Sequence, residues 1–439
     1  MNGIKLVVIG GGSSYTPELA EGIIARHRSF PVKELVLVDI EEGRHKVESV
    51  FGLVGRMIAA AGLGIRLSWT LDRRSALDGA DFVVSQIRVG GLEARSLDER
   101  LPLKYGMIGQ ETTGPGGFAN ALRTIPAVMD ICGDMEELCP NAWLINFTNP
   151  SGIITEAVLT RTKIKCIGLC NIPINMERAV KNFPGLENAD VHCGFAGLNH
   201  LSFMDSIMAD GKEMIRELTA SAPNVFNAEN IPGIGFPAEF ISMLGMIPSP
   251  YLKYYYMESM MLEEERAKLR ATGKNRALEV MEIEKGLFEK YRNPVLNKKP
   301  EELSKRGGAL YSEAAVSLMD SIWNDRGDVQ VVNTLNGGCL PDLPENSVIE
   351  VNCVIGRRGA LPVSHGPLAA SIRGLIQHAK TYEQLTIEAA CEGSREKAFL
   401  ALAANPLVHD IKNAKLLLDD LLEANRKYLT AFFGKGDAK

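Results

Sequence analysis

The amino-acid sequence predicts an α/β protein: a doubly wound parallel sheet over residues 1–170, then a closely packed α+β domain over residues 171–439. Three observations predict it. Short, nearly continuous apolar runs recur through the first 170 residues, as expected of strands buried on both faces. Helical segments lie between most of these runs, which makes the strands parallel. After Cys170 the rhythm stops, and helices and strands follow without regular crossovers.

Lys5-Leu6-Val7-Val8-Ile9 is the first strand, and it ends in Gly10-Gly11-Gly12-Ser13-Ser14. A helix follows over residues 17–28, with Pro17 suited to its first turn. Glu34-Leu35-Val36-Leu37-Val38-Asp39 is the second strand and ends in an acid. Further strands fall at residues 65–69, 82–87, 143–147 and 164–169, with helices at 47–61 and 119–138. In the second half, residues 177–182 and 257–292 read as helices and residues 191–203 and 329–335 as strands. Residues 411–433 form an amphipathic helix that packs on the body or on a subunit neighbour.

Composition narrows the functional classes. A formal charge of −6 without a long basic run argues against nucleic acid as a partner. No apolar stretch reaches the roughly eighteen residues that cross a bilayer. The N-terminus runs directly into a strand and shows no cleavable apolar segment. The eight cysteines lie in apolar contexts without the spacing of a disulfide scaffold, so they read as reduced thiols of a cytoplasmic protein.

The glycine-rich turn is the first candidate site. Gly10 permits the tight turn and Gly12 lets backbone approach a pyrophosphate at a helix N-terminus; Gly11, Ser13 and Ser14 complete the loop. Tyr15 stands where the third fingerprint glycine would be. Asp39 suits hydrogen bonds from ribose hydroxyls, which favours NAD over NADP. In Asn146-Phe147-Thr148-Asn149-Pro150, Asn149 lies at a strand's carboxyl end, the edge where open α/β sheets bind ligands; a turn asparagine before proline explains it equally well in isolation. Cys170 ends the next strand. It and His200, in Asn199-His200 about thirty residues further on, suit a two-ligand transition-metal pair that leaves positions for water and substrate, although by spacing alone a buried structural cysteine explains Cys170 as readily. His192 and Cys193 sit in strand-like alternation and read as structural. The loop at residues 109–117 reads as a lid or as a helix entry. Arg88, Arg95, Arg100 and Arg123 around it suit an anionic substrate, although each alone reads as a surface arginine. Pro250-Tyr251-Leu252-Lys253-Tyr254-Tyr255-Tyr256 is a packed aromatic cluster or the source of a tyrosine base.

Taken together, these motifs resemble the NAD-dependent family 4 of the glycoside hydrolases over essentially the whole chain. The resemblance rests on Gly10-Gly11-Gly12-Ser13, Gly109-Gln110-Glu111-Thr112, Gly114-Pro115-Gly116-Gly117, Asn146-Phe147-Thr148-Asn149-Pro150, Cys170-Asn171-Ile172-Pro173, Asn199-His200 and Pro250-Tyr251-Leu252-Lys253-Tyr254-Tyr255. It implies a Rossmann-like first domain of the lactate/malate dehydrogenase type, with NAD and a divalent metal, Mn²⁺, as cofactors. Ligand softness alone suggests zinc, iron or cobalt. Asn171 follows the cysteine where the α-acting members have Asp, which implies a 6-phospho-β-glucosidase acting on a phosphorylated disaccharide, such as cellobiose 6-phosphate, or on an aryl glucoside. The implied route is a temporary oxidation at C3, loss of the C2 proton to Tyr251, elimination of the aglycone, addition of water and re-reduction. The resemblance assigns Cys170 and His200 to the metal, and a homodimer or homotetramer to the assembly. Arg95 and Arg276 are the expected 6-phosphate ligands, with Asn149 and Asn171 on sugar hydroxyls. Three alternatives stand beside this reading: a 2-hydroxy-acid dehydrogenase of similar fold, a relative acting on a 6-phospho-α-glucoside or α-galactoside, and a non-catalytic NAD sensor.

Overall fold

The structure is a computed structural model that describes residues 3–221, 224, 231, 233–306 and 311–433. The first six strands are β1 (Ile4–Ile9), β2 (Val32–Val38), β3 (Arg66–Thr70), β4 (Phe82–Ser85), β5 (Trp143–Asn146) and β6 (Lys165–Gly168). They lie parallel in the order β3-β2-β1-β4-β5-β6, the doubly wound order whose crevice opens at the strands' carboxyl ends between β1 and β4. β1 shows why apolar runs marked these strands. Leu6 and Val8 enter the core on one face, while Val7 and Ile9 enter a second core on the other.

Beyond β6 the chain forms β7 (Val191–Leu198), β8 (Leu201–Ala209), β9 (Lys212–Glu213), β10 (Ile247–Pro248), β11 (Asp328–Leu335), β12 (Val348–Gly356) and β13 (Gly359–Pro362). β7 to β10 make a small antiparallel sheet. β11, β12 and β13 instead join the parallel sheet: Asn333 pairs with Gly168 and extends it to nine strands.

Three expectations change in detail. The strand read over residues 191–203 is a hairpin, β7–β8, which turns at Asn199-His200. The helix read over 257–292 is two helices, Glu258–Thr272 and Arg276–Tyr291. Gly273 ends the first at φ 67, and the Asn275 side chain caps the second by accepting from Leu278 N. The last helix spans only Ile411–Ala424, followed by two single 3₁₀ turns. Its Leu417, Leu418, Leu421 and Leu422 are buried in the second core, so it packs on the body of its own chain.

That packing is joined by a buried ion pair. Arg123, on the helix Gly114–Leu138, bonds Asp98 from Nη1 at 2.8 Å, Val89 O from Nε and Asn425 Oδ1 at 3.3 Å. Both side chains of the ion pair are fully buried. Arg123→Met should lower the unfolding free energy by about 3–5 kcal/mol, because Asp98 is left buried without its cation. Adding Asp98→Asn should recover part of the loss. Guanidinium chloride unfolding measures both; a single variant as stable as the parent would contradict the structural role.

Candidate active site

The glycine-rich turn closes on Asp39. Gly12 N donates to Asp39 Oδ2 at 2.7 Å and Ile40 N donates to Oδ1 at 2.9 Å. A Cβ on Gly12 would lie 2.6 Å from Asp39 Oδ2, and one on Gly10, at φ +82, would lie 2.8 Å from Gln86 O. These glycines make a cradle that side chains would fill, which fits close approach by a pyrophosphate. Ser14 differs from the expectation in one respect. Its hydroxyl donates to Glu284 Oε1 at 2.9 Å and its carbonyl accepts from Tyr291, so it also ties the turn to the helix Arg276–Tyr291.

The neighbouring strand ends are built from short polar side chains. Asn146 is fully buried, accepts from Thr148 N and donates to Thr155 Oγ1, which fixes the Asn-Phe-Thr-Asn-Pro turn. The Thr148 hydroxyl pairs with Ser85 and accepts from Ile87 N, stitching this turn to the end of β4. Asn149 is half-buried, and its carbonyl accepts from Asn120.

Cys170 caps the helix Asn171–Lys181 and accepts from Ile172 N at 3.5 Å. The Asn199 side chain opposes the upward shift of the Cys170 thiol, and Asn199 stands in the hairpin turn that carries His200. Asn199 Nδ2 donates to Glu350 Oε2 at 3.0 Å, Ser202 to Oε1 at 2.8 Å and Asn333 to Oε2 at 3.3 Å. Glu350 is 1% exposed, so these three bonds satisfy a carboxylate otherwise removed from water. His200 adopts φ 64, a left-handed conformation rare outside glycine. Its ring stacks on Tyr251 with centroids 3.7 Å apart and planes at 7°.

These residues fit a catalytic metal. His200 Nδ1 is buried with no hydrogen-bond partner. Burial lowers the His200 pKa to about 3 and so keeps the imidazole neutral, the form that ligates metals. Burial, reinforced by nearby Glu350, pushes the Cys170 thiol up, and a bound cation is the ordinary means of holding such a sulfur as thiolate. No group of three or more His, Cys, Asp or Glu side chains among the described residues could close a full ligand set. A two-residue pair of this kind would leave coordination positions for water and substrate oxygens.

The arginines divide sharply. Arg100 is exposed and Arg123 belongs to the buried ion pair. Arg88 pairs with Glu111, while Arg95 donates to Glu99 at 2.7 Å and lies 3.0 Å from Glu111. Glu111 is held at a pKa of about 2: burial alone would raise it, but Arg88 and Arg95 more than offset that. Arg276 contacts Glu279 and the carbonyls of Lys305 and Arg306, and its Nε is buried without a partner.

A glycine-rich cradle, and a cysteine and a histidine with a tyrosine stacked on the histidine ring, lie on a doubly wound, dehydrogenase-like fold. Residues 5–186 match the family described as family 4 glycosyl hydrolase, and residues 195–408 match its C-terminal domain. A probable 6-phospho-β-glucosidase of Bacillus subtilis is 48% identical over 440 residues, covering 99% of each chain. The solved 6-phospho-β-glucosidase of Thermotoga maritima, with manganese, NAD⁺ and glucose 6-phosphate, superposes at a TM-score of 0.88 with 38% identity, over 97% of this chain and 99% of that one. Malate dehydrogenase of Plasmodium falciparum, at TM-score 0.53 and 13% identity over 91% and 99% of the two chains, shares the fold alone. The chain belongs to family 4 of the glycosyl hydrolases.

The residues missed from the sequence are the supporting ones: Glu350, Ser202 and Asn333 behind the Cys/His pair, Glu284 behind Ser14, and Glu265. A charged residue inside the apolar run Val348-Ile349-Glu350-Val351 was a visible signal for the first of these. Glu265 Oε2 accepts from Gly109 N at 2.9 Å and so anchors the loop at residues 109–117. Burial raises its pKa to about 7, with the Gly109 bond opposing. Because the folded value exceeds the ordinary 4.5, the stability linked to this group is complete below pH 4.5 and is lost as pH rises through 7. Glu265→Gln keeps an acceptor for Gly109 and should therefore gain on the parent by up to ~2 kcal/mol between pH 4 and pH 8. Denaturant midpoints across that range measure it, and parallel pH curves for the two proteins would contradict it.

Proposed function

We propose that this protein is a 6-phospho-β-glucosidase that releases the aglycone of phosphorylated β-glucosides, with NAD and a divalent metal, Mn²⁺, as cofactors. The observation that carries the reading is Tyr251 stacked at 3.7 Å on His200, a prospective base against a prospective metal ligand. The Bacillus and Thermotoga relatives support the substrate class and the cofactors. When bound, NAD supplies reversible oxidation at the sugar C3, and the metal supplies Lewis acidity at the neighbouring oxygens.

The chain's own residues do the rest. Cys170 and His200 would hold the metal, whose Lewis acidity would act on the sugar O2 and O3. Asp39 takes the ribose hydroxyls of NAD, and the turn from Gly10 to Ser14 takes its pyrophosphate. A carbonyl at C3 acidifies the proton at C2, and Tyr251 accepts that proton as the aglycone leaves C1. Asn149 and Asn171 contact sugar hydroxyls. Asn171 carries no ionisable proton, so the leaving oxygen takes its proton from water or another group. Arg95 and Arg276 hold the 6-phosphate, and the unpartnered Nε makes Arg276 the stronger candidate. Water then adds across the C1–C2 double bond that the elimination leaves, and because the oxidation is reversed within each turnover the net reaction is hydrolysis. No pair of acid/base carboxylates is needed. The seven buried, unpaired cysteines and a phosphorylated substrate suit a cytoplasmic enzyme.

A chromogenic 6-phospho-β-glucoside with NAD⁺, Mn²⁺ and a thiol should release its aglycone without lasting NADH, and the α-anomer should not react. Stoichiometric NADH from a hydroxy acid would instead support a dehydrogenase. Cys170→Ser and His200→Ala should each cut turnover by at least ~10²-fold while NAD⁺ affinity measured by calorimetry stays within about twofold. Unchanged turnover would refute the metal assignment. Tyr251→Phe should lower kcat by ~10²–10⁴-fold, and substrate deuterated at C2 should react more slowly with the parent enzyme. A phenylalanine variant at full rate would remove Tyr251 from the mechanism.

A further inference from the structure

Arg306 ends the 3₁₀ segment Glu301–Arg306 and lies outside every motif of the sequence reading. Its guanidinium carbon stands 4.2 Å from the centre of the Tyr15 ring, the residue that replaces the third fingerprint glycine. Its Nε and Nη2 lie 2.8 Å and 2.7 Å from Glu284 Oε1. The same oxygen accepts from the Ser14 hydroxyl, and Glu284 Oε2 meets Lys46 at 3.3 Å. Tyr291, two turns further along the helix Arg276–Tyr291, donates to Ser14 O at 2.7 Å. One face of this helix is thereby clamped to the glycine-rich turn.

The N-terminal end of the same helix is clamped to the arginine cluster. Ala277 N donates to Glu99 Oε2 at 2.9 Å, on the carboxylate that also holds Arg95. Asn275 donates to Ser96 O at 3.0 Å. Arg276 Nη2 reaches the carbonyl of Arg306 at 3.4 Å and that of Lys305 at 3.2 Å. The Arg306 charge is also felt at Glu111 and Arg95. Arg306 thus meets the dinucleotide turn with its side chain and Arg276 with its backbone. Its side chain is only 11% exposed, so neither contact is a loose surface pairing.

We propose that Arg306 is a positioning residue that couples the two ligand sites: its stack on Tyr15 and its ion pair with Glu284 transmit occupancy of the dinucleotide turn to Arg276, and the reverse. The proposal rests on the glucosidase reading for the identity of the two ligands. Linkage requires the effect to be reciprocal, so glucose 6-phosphate must tighten NAD⁺ by the factor with which NAD⁺ tightens glucose 6-phosphate. The guanidinium does this where an ammonium cannot, because only a planar group both stacks on the ring and presents two donors to one carboxylate.

Isothermal titration of the full chain with NAD⁺, with and without saturating glucose 6-phosphate at fixed Mn²⁺, gives the coupling factor. The parent should show a factor of about 5–50. Arg306→Lys and Glu284→Gln should each bring it to within about twofold of one, while each variant still binds both ligands singly. Circular dichroism confirms that the variants are folded, and Glu284→Gln, nearly isosteric, serves if the arginine change does not fold. A parent that binds neither ligand would fail the glucosidase reading. A parent that binds both independently, or variants that keep the parent's factor, would overturn the coupling.

Discussion

The buried carboxylate of Glu350 is the constraint on which the site depends. It lies on β12, two strands away from β6, and takes three hydrogen bonds from Asn199, Ser202 and Asn333. Burial raises its pKa and these bonds oppose the shift, so the group tolerates its place only while all three donors remain. Two of them belong to the β7–β8 hairpin and one to β11. Glu350 therefore pins the small sheet to the large one at the turn that carries His200. The left-handed His200 backbone, costly for a residue with a Cβ, persists because that attachment over-determines it.

Around this anchor the charges are matched in advance. Arg88, Arg95 and Arg306 face Glu111, Glu99 and Glu284, and most of these groups are buried. Such pairs add little to net stability, since desolvation opposes the attraction. Their value is geometric: they hold the loop at residues 109–117, the glycine-rich turn and the helix Arg276–Tyr291 in one arrangement. The multistep reaction proposed above would gain from groups already oriented when substrate arrives.

How much of this could be read in the sequence follows from the same physics. β1 to β6 are buried on both faces, so each leaves an apolar run that needs no partner to be recognised. β11 to β13 are antiparallel with mixed faces, and only β11 showed itself. The hairpin turn contains no glycine, so Asn199-His200 read as continuing strand. The break at Gly273 and Asn275 was written in capping residues but was hidden inside a long helical pattern. Cys170, His200 and Tyr251 drew notice through their motifs, while Glu350, Glu284 and Arg306 each also make contacts more than a hundred residues away in sequence, to Asn199, Ser14 and Tyr15. Arg123 had looked like a ligand for anions and is a structural cation, because nothing local to it reveals Asp98 or Asn425.

As proposed above, Cys170 and His200 hold the metal, and the Glu350 network would then align them for it. Asn199→Ala removes the bond to Glu350 and the amide that lowers the Cys170 pKa, while leaving the Cβ beside Gly152. The direct test is the Mn²⁺ dissociation constant of this variant, read by electron paramagnetic resonance of free Mn²⁺ at fixed NAD⁺ and glucose 6-phosphate. A loss of about 10–100-fold with the fold intact is the expected result. An affinity equal to the parent's would contradict it.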